Sequence, residues 1–535
     1  MGGHLSIGGR NVITYDSRLM RAIDRNDNET ATYLITKKVV DLNRVEHGHT
    51  ALNLAIHRRN KTVVTLLVNA GCNLDMCEDI HIMLPPLLQS VMLGRHEFVK
   101  LLVENGCNIN IQSPDNGNTA LHLAVTHSAS NRNWKTEDIV RYLVSKGSDV
   151  NLGNSSGNTV LHLCARLNQL FVLDYLLQLP NCNLNARNAN VKNTPLHEAI
   201  EAQNEETALR LLQAGCDLNK KNAAGCCPLI LAVRKQCLGV FTALINHQDI
   251  AINSANQIGQ TALHEASHKG RLTLVDMLIR HDASINEQDN HGDTPLHLSA
   301  RQGHSKVVER LLEAEAKHSV VNKEGKSPLY LAVATSKHDV VRLFLCSGVD
   351  INQTDKVNKS PLHAAVYQGN TNMVRLLIKN GANINIMDKH GRTPLLLASK
   401  HGRYEEGKCL IKAGANPDLY STEDKGPLHM AVLFPKLDFP MIYLLLNAGC
   451  DPLNLSNFID WILHNGIVKP EDFMRSELHD WYHQMVKIPP SLKHQCRVSI
   501  QAIFRKHNHD DNYRQCVQQI PLPKSLQNYV SVKML

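Results

Sequence analysis

A short motif recurs along most of this chain at a nearly constant spacing, and this periodicity limits the possible folds more than any other feature. The segments NTALHLAV, DTPLHLSA and KSPLHAAV share one register. The turn position of the motif advances in steps of 40, 35, 33, 34, 33, 33, 33, 33 and 33 residues through Thr119, Thr159, Thr194, Cys227, Thr261, Thr294, Ser327, Ser360, Thr393 and Gly426. The same register extends backward to Leu84, Thr50 and Ser17. Such a period predicts a stack of similar units rather than one globular core.

Each unit has the sequence pattern of two helices. Thr or Ser at the turn position is suited to cap a first helix, and the proline that often follows it is tolerated in the first turn. The segments VVERLL and MVRLLI place apolar residues at i, i+3 and i+4, which predicts a second helix. Glycine in NAGCN and KNGAN is placed for a left-handed helix end. A single unit cannot bury its apolar face, so we expect each unit to pack on its neighbours.

The T-P-L-H signature with this period resembles the ankyrin repeat. The resemblance covers residues 15–455, as about thirteen units. It implies an all-α solenoid whose concave surface binds another protein. A composition of 43% hydrophobic but only 4% aromatic residues agrees with a helical solenoid rich in leucine and alanine.

The charge and cysteine distributions exclude several classes of function. From Lys487 onward, eight Lys or Arg face two Asp, so +6 of the net charge of +7 lies in this segment and +1 in the rest. A near-neutral body argues against nucleic-acid binding, which needs a basic stripe. The 14 cysteines lack paired metal-ligand spacing and are expected to be reduced, small apolar residues. No apolar run is long enough to span a membrane, and no secretory signal is recognised, so we expect a cytoplasmic protein.

One segment matches a zinc-protease signature by chance. His264, Glu265 and His268 form H-E-x-x-H, in which two histidines would hold zinc and the glutamate would act as a base. However, His264 is the histidine of the repeat motif, as are His122, His162, His197, His297, His363 and His429. No other catalytic signature is present. We therefore expect no catalytic residue, no metal site and no cofactor.

Two features lie outside the regular pattern. The 40-residue unit carries an extra loop with Trp134, which either contacts a target protein or covers the edge of its own repeat. The first residues, MGGHLS, fit the N-myristoylation pattern at Gly2, although a flexible glycine-rich start that matches by chance is the simpler explanation. We treat residues 1–14 as a flexible tail and expect membrane contact only if Gly2 is acylated.

After residue 455 the period stops. Residues 456–486 have a helical pattern, with tryptophans suited to cover the last repeat, and are predicted to form a cap or linker. Leu492, Cys496 and Ile500 then follow a good N-cap residue, Ser491, at i, i+4 and i+8. On a helix these three side chains form one stripe. By itself, such a stripe is most often part of a core.

The wider pattern, SLKHQCRVSI followed by IPLPKSLQNYV, resembles a SOCS box over residues 487–535. The resemblance implies that Leu492, Cys496 and Ile500 bind elongin C in a helix-in-groove mode. It also implies that Ile520, Pro521, Leu522 and Pro523 select cullin 5. Isoleucine at position 520 replaces the usual leucine, a volume-conserving change.

The order of the two patterns resembles the ankyrin-repeat and SOCS-box family. This resemblance implies a non-catalytic subunit of a ubiquitin ligase, which binds an unidentified target protein and recruits elongin B/C and cullin 5 with its RING subunit. Two alternatives stay open: a non-degradative ankyrin scaffold, and an adaptor tethered to a membrane through Gly2.

Overall fold

A computed structural model describes residues 15–46, 48–76, 84–130, 136–433 and 438–449. Within these ranges the chain forms 26 helices, in thirteen consecutive pairs, and no strand beyond an isolated bridge between Glu46 and His49. The first helices of the pairs are α1 (Tyr15–Asp24), α3 (Ala51–His57), α5 (Pro86–Met92), α7 (Ala120–Ser130), α9 (Val160–Leu167), α11 (Pro195–Glu201), α13 (Pro228–Lys235), α15 (Ala262–His268), α17 (Pro295–Gln302), α19 (Pro328–Ala334), α21 (Pro361–Gln368), α23 (Pro394–Lys400) and α25 (Pro427–Leu433). The second helices are α2 (Asn28–Thr36), α4 (Lys61–Asn69), α6 (His96–Glu104), α8 (Thr136–Ser145), α10 (Leu170–Leu177), α12 (Glu205–Gln213), α14 (Leu238–Ile245), α16 (Leu272–Arg280), α18 (Ser305–Glu313), α20 (His338–Cys346), α22 (Thr371–Lys379), α24 (Tyr404–Lys412) and α26 (Phe439–Asn447). The expected all-helical ankyrin fold is confirmed.

The chain divides into two compact units. Unit 1 comprises Met1–Glu265 with Arg280–Ala283, and unit 2 comprises Ala266–Ile279 with Ser284–Leu535. Within unit 1 each first helix from α1 to α13 packs on the next first helix. Within unit 2 the same row runs from α17 to α25. The core of each unit therefore lies along a row of first helices, covered by the second helices.

Apolar periodicity fixes which side of a second helix is buried. In α22, Met373, Val374 and Leu377 are fully buried. Leu377 lies four residues after Met373 and three after Val374, the i+4 and i+3 spacings that the pattern MVRLLI predicts. Burying one such side chain contributes about 2 kcal/mol. Gly381, which follows this helix, has a φ of +87°, as expected for a left-handed helix end.

The first helices begin with a network that also joins neighbouring repeats. In α11, the Thr194 N–H donates to His197 Nδ1 at 3.2 Å, while His197 Nε2 lies 3.1 Å from the Cys226 carbonyl of the next repeat. A carbonyl can only accept, so Nε2 carries the proton and the imidazole is neutral. Four more buried histidines bond the same way to carbonyls one repeat on: His122 to Asn158, His162 to Asn193, His297 to Lys326 and His363 to Arg392.

The loops between pairs are joined by backbone hydrogen bonds. In unit 2, the Lys356 N–H donates to the Glu324 carbonyl at 3.0 Å, one repeat earlier. Gly325, next to this bond, has a φ of +78°, and a Cβ built there would lie 2.6 Å from Lys356 N. Glycine is therefore needed here both for its conformation and for the close approach of two loops.

The structure corrects two turn positions. The N-cap of α5 is Pro85, not Leu84, so the steps on either side become 35 and 34 residues. Proline at both 85 and 86 made the register ambiguous, and the second proline takes the first helical position. Ser17 lies inside α1, which already begins at Tyr15.

Candidate protein-binding surface

Unit 2 carries a groove of about 450 Å³ across three consecutive first helices, α19, α21 and α23. Its walls come from the residue before each helix, from the exposed sides of the helices and from their last turns. The lining residues are Lys326, Tyr330, Ala334, Lys359, His363, Ala364, Tyr367, Gln368, Arg392, Leu397, Lys400 and His401. The lining includes lysine and arginine side chains but no aspartate or glutamate.

The cations of this groove recur with the period of the repeat. A basic residue directly precedes the N-cap position in four consecutive repeats, at Lys326, Lys359, Arg392 and Lys425. Three of them form ion pairs with an acid of their own loop: Lys326 with Glu324, Arg392 with Asp388 and Lys425 with Glu423. In the part of the chain that the structure describes, Lys359 makes no ion pair.

The acid in the Lys359 loop is occupied by other donors. Asp355 is buried, and its Oδ1 accepts from the N–H groups of Val357 and Lys359, each at 2.9 Å. Burial, together with Asp355, raises the pKa of Tyr330. The Asp355 side chain therefore stabilises the loop and leaves the Lys359 ammonium group uncompensated by an acid of its own repeat.

The other end of the groove combines a second cation with two aromatic rings. Lys400 ends α23 and makes no ion pair among the described residues. Tyr367, which is 56% exposed, meets His401 edge to face, with ring centroids 5.1 Å apart. Burial, and then the positive charges of Lys400, Arg403, Arg392 and Lys359, lower the pKa of His401. The groove is thus a positively charged site with apolar ring surfaces, which suits carboxylate-bearing chains.

Exposed apolar side chains also mark the loops between repeats. Val191 and Ile258 are exposed in unit 1, and Val321, Val357 and Met387 are exposed in unit 2. Single exposed apolar residues are ordinary on protein surfaces. The groove is distinguished by concave shape and unpaired charge, and these loop residues lack both.

The site residues singled out from the sequence all fall outside the described residues. This holds for Gly2 and Trp134, for the elongin-binding positions Leu492, Cys496 and Ile500, and for the cullin-binding positions Ile520, Pro521, Leu522 and Pro523. Their roles stay predictions. The domain limits at residues 14, 455 and 486 stay predictions as well.

The first histidine of the zinc-protease signature has a structural role in its repeat. His264 is fully buried, and its Nδ1 lies 2.9 Å from Thr261 Oγ1 and accepts from the Thr261 N–H at 3.2 Å. It occupies the same helix-capping place as the other repeat histidines. Across the described ranges, no group of three or more His, Cys, Asp or Glu side chains is placed to hold a metal ion.

Most described cysteines are buried thiols. Burial raises the pKa of Cys72 to about 11 and that of Cys216 to about 12. The neutral thiol is therefore strongly favoured at neutral pH, and the thiolate that nucleophilic chemistry needs is disfavoured. In the same described ranges, no helix is both long enough and apolar enough to cross a membrane.

Comparisons with known proteins agree with this architecture. The family model for ankyrin repeats (3 copies) matches residues 77–152, 126–222, 196–289, 281–355, 340–421 and 362–456, and the single ankyrin repeat matches residues 47–79. The SOCS box model matches residues 488–531. The chain therefore belongs to the ankyrin-repeat and SOCS-box protein family.

Individual relatives share the repeats. An ankyrin repeat protein of Fowlpox virus (strain NVSL) is 29% identical over 242 residues, 43% of this chain and 65% of the viral protein. The B-cell lymphoma 3 protein homolog of Mus musculus is 34% identical over 166 residues, 30% of this chain and 35% of the relative. Rabankyrin-5 of Homo sapiens is 26% identical over 269 residues, 45% of this chain and 23% of the relative. The chain thus spans less than two thirds of the length of each.

Sequence reasoning missed the groove. Its signal was present, since Lys326, Lys359, Arg392 and Lys425 recur every 33 residues directly before a helix. This basic position is confined to four repeats, so it is not part of the motif that all the repeats share.

Proposed function

We propose that this protein is the substrate-recognition subunit of an elongin B/C–cullin 5–RING ubiquitin ligase. The observation that carries the proposal is the presence of an ankyrin array and a SOCS box, at residues 488–531, in one chain. The array would hold a target protein, and the box would recruit the ligase core for ubiquitination and degradation of that target. A cytoplasmic location belongs to the same proposal.

The elongin contact is assigned to one helical stripe. Leu492 is the apolar knob that enters a pocket of elongin C, as in other helix-in-groove interfaces. Cys496 is small and lets the helix approach closely, and Ile500 extends the contact by one further turn. All three positions lie within the residues that match the SOCS box.

The cullin contact is assigned to a proline-containing segment. Pro521 and Pro523 restrict the backbone to an extended form, which presents Ile520 and Leu522 to cullin 5. These residues also lie within the matched SOCS box.

In this proposal the chain acts by proximity and supplies no nucleophile, base or metal. Holding a target lysine near the thioester of a charged E2 converts an encounter in solution into a reaction within one complex. Zinc would belong to the RING subunit.

Co-expression with elongins B and C, followed by addition of cullin 5 and size-exclusion chromatography, tests the proposal. We expect the wild-type chain to elute with all three partners. We expect Leu492→Lys combined with Cys496→Lys to lose them, because a charge buried in an apolar pocket costs several kcal/mol. The matched control is His494→Lys, because position 494 would lie on the other side of the proposed helix from Leu492.

Loss of the partners by the control as well would show a folding defect rather than a lost contact. A folded wild-type chain that binds neither elongins nor cullin would overturn the proposal and favour the scaffold alternative.

A further inference from the structure

We propose that the groove across α19, α21 and α23 binds an acidic, extended segment of the target protein, with Lys359 and Lys400 as the cations that recognise its carboxylates. The inference rests on the proposed function, since it names the chemistry that the array recognises in its target.

Charge complementarity selects this occupant. Lys326 and Arg392 are each paired with an acid of their own loop, whereas the described residues contain no ion-pair partner for Lys359 or Lys400. An acidic segment would supply the missing partners, and a basic or neutral one would not. Burial is the main cause of the lowered pKa of His401, and the positive charges of Lys400, Arg403, Arg392 and Lys359 lower it further.

The shape of the groove favours a short extended chain. Packed helices lie about 10 Å apart and an extended chain rises about 3.3 Å per residue, so three neighbouring helices span about six residues. Side chains alternate along such a chain. Acidic side chains on one face could therefore reach the two lysines while the intervening side chains contact Tyr367 and His401.

Two other surfaces are weaker candidates. The second helices α20 and α22 form a shallower hollow lined by His338, Arg342, Arg375 and Lys379. Arg342 lies by Asp339 and Arg375 donates to Cys409 Sγ, so among the described residues this hollow has one lysine without an ion pair where the groove has two. The exposed loop residues of unit 1, such as Val191 and Ile258, carry no charge that identifies a partner.

Fluorescence anisotropy with the full-length chain tests the proposal. The probe is a fluorescein-labelled peptide in which glutamate alternates with tyrosine, and the reference is the same peptide with glutamine in place of glutamate. We expect the glutamate peptide to bind at least about tenfold more tightly, with an advantage that falls as salt is added. Lys359→Glu combined with Lys400→Glu should remove this advantage.

The matched control is Lys306→Glu combined with Lys379→Glu. Both lysines are exposed, lie on the second helices α18 and α22, and make no ion pair within the described residues. The control changes the net charge equally and should keep the preference for glutamate. Equal affinity for the two peptides, or an equal loss in the control, would overturn the proposal.

Two measurements keep the result interpretable. Lys359→Gln combined with Lys400→Gln removes the charges without reversing them and should show an intermediate affinity; wild-type affinity would contradict the proposal. Analytical sedimentation of the wild-type chain tests whether a second copy of this chain occupies the groove. Self-association that Lys359→Glu combined with Lys400→Glu abolishes would also contradict the proposal. Neither elongin nor cullin is present in these assays, so their outcome is separate from that of ligase assembly.

Discussion

At the scale of single residues, the repeat histidine has a structural role that requires its neutral form. Its Nδ1 accepts from the backbone at the start of its own helix, and its Nε2 donates to a carbonyl of the next repeat. Protonation of Nδ1 would turn it into a donor facing the backbone N–H from which it now accepts, so this hydrogen bond would be lost. Burial also disfavours the charged ring, and it lowers the pKa of His122, His162, His197, His297, His363 and His429.

We therefore predict that acid destabilises the repeats through these histidines. Burial lowers the pKa of His297 to about 4, with Arg301 acting in the same direction and Asp293 and Asp289 opposing it. An unfolded histidine titrates near 6.5, so between about pH 6.5 and 4 the unfolded chain binds more protons and stability falls as pH falls. The slope from one such residue is about 1.4 kcal/mol per pH unit.

Urea unfolding followed by circular dichroism at several pH values measures this slope. His297→Leu should be less stable at neutral pH but should show a shallower loss of stability on acidification. Leucine already occupies the equivalent position in another repeat, at Leu396, so the exchange is compatible with the fold. Equal slopes for wild type and variant would contradict the assignment.

At the scale of elements, the loops and helices of one repeat are specified by a few positions that also contact the next repeat. Helix starts were predicted correctly where Thr or Ser precedes proline, because the cap hydroxyl and the fixed φ of proline both act locally. The start of α5 was missed by one residue, since two successive prolines satisfy the same rule in either register.

The groove could not be predicted from the sequence for a physical reason. Lys326 and Lys359 occupy equivalent positions, and each has an acid nearby in its loop. Only the folded structure shows that Glu324 reaches Lys326, whereas Asp355 accepts from the backbone N–H groups of Val357 and Lys359. Whether a surface lysine forms an ion pair depends on such competition for the nearby acid, and residue spacing in the sequence does not show its outcome.

A glycine exchange tests how the loops of adjacent repeats are joined. In Gly325→Ala the alanine must adopt a left-handed conformation, and its Cβ lies against Lys356 N. In Gly348→Ala the alanine must also adopt a left-handed conformation, at a φ of +71°, but its Cβ has no neighbouring atom within 4 Å. We expect about 1 kcal/mol of destabilisation at Gly348 and at least about 2 kcal/mol at Gly325. Urea midpoints of the two variants measure the difference, and equal midpoints would show that the close approach of the loops contributes no stability.

At the scale of the whole molecule, the account assigns recognition and recruitment to separate parts of one chain. The ankyrin repeats and the SOCS box are established by the family comparisons, and the repeats are also visible as helix pairs. The roles of Leu492, Cys496 and the segment from Ile520 to Pro523 depend on motif resemblance. Variants at these positions should therefore change recruitment without changing target binding, and groove variants should do the reverse.

The half-life of array-bound proteins tests the central claim most directly. Proteins cross-linked to the array would be followed in the same cells with the wild-type chain and with Leu492→Lys combined with Cys496→Lys. We expect these proteins to bind both chains equally and to have longer half-lives in cells that carry the variant. Unchanged half-lives, with binding retained, would contradict a ligase receptor and identify the chain as a scaffold.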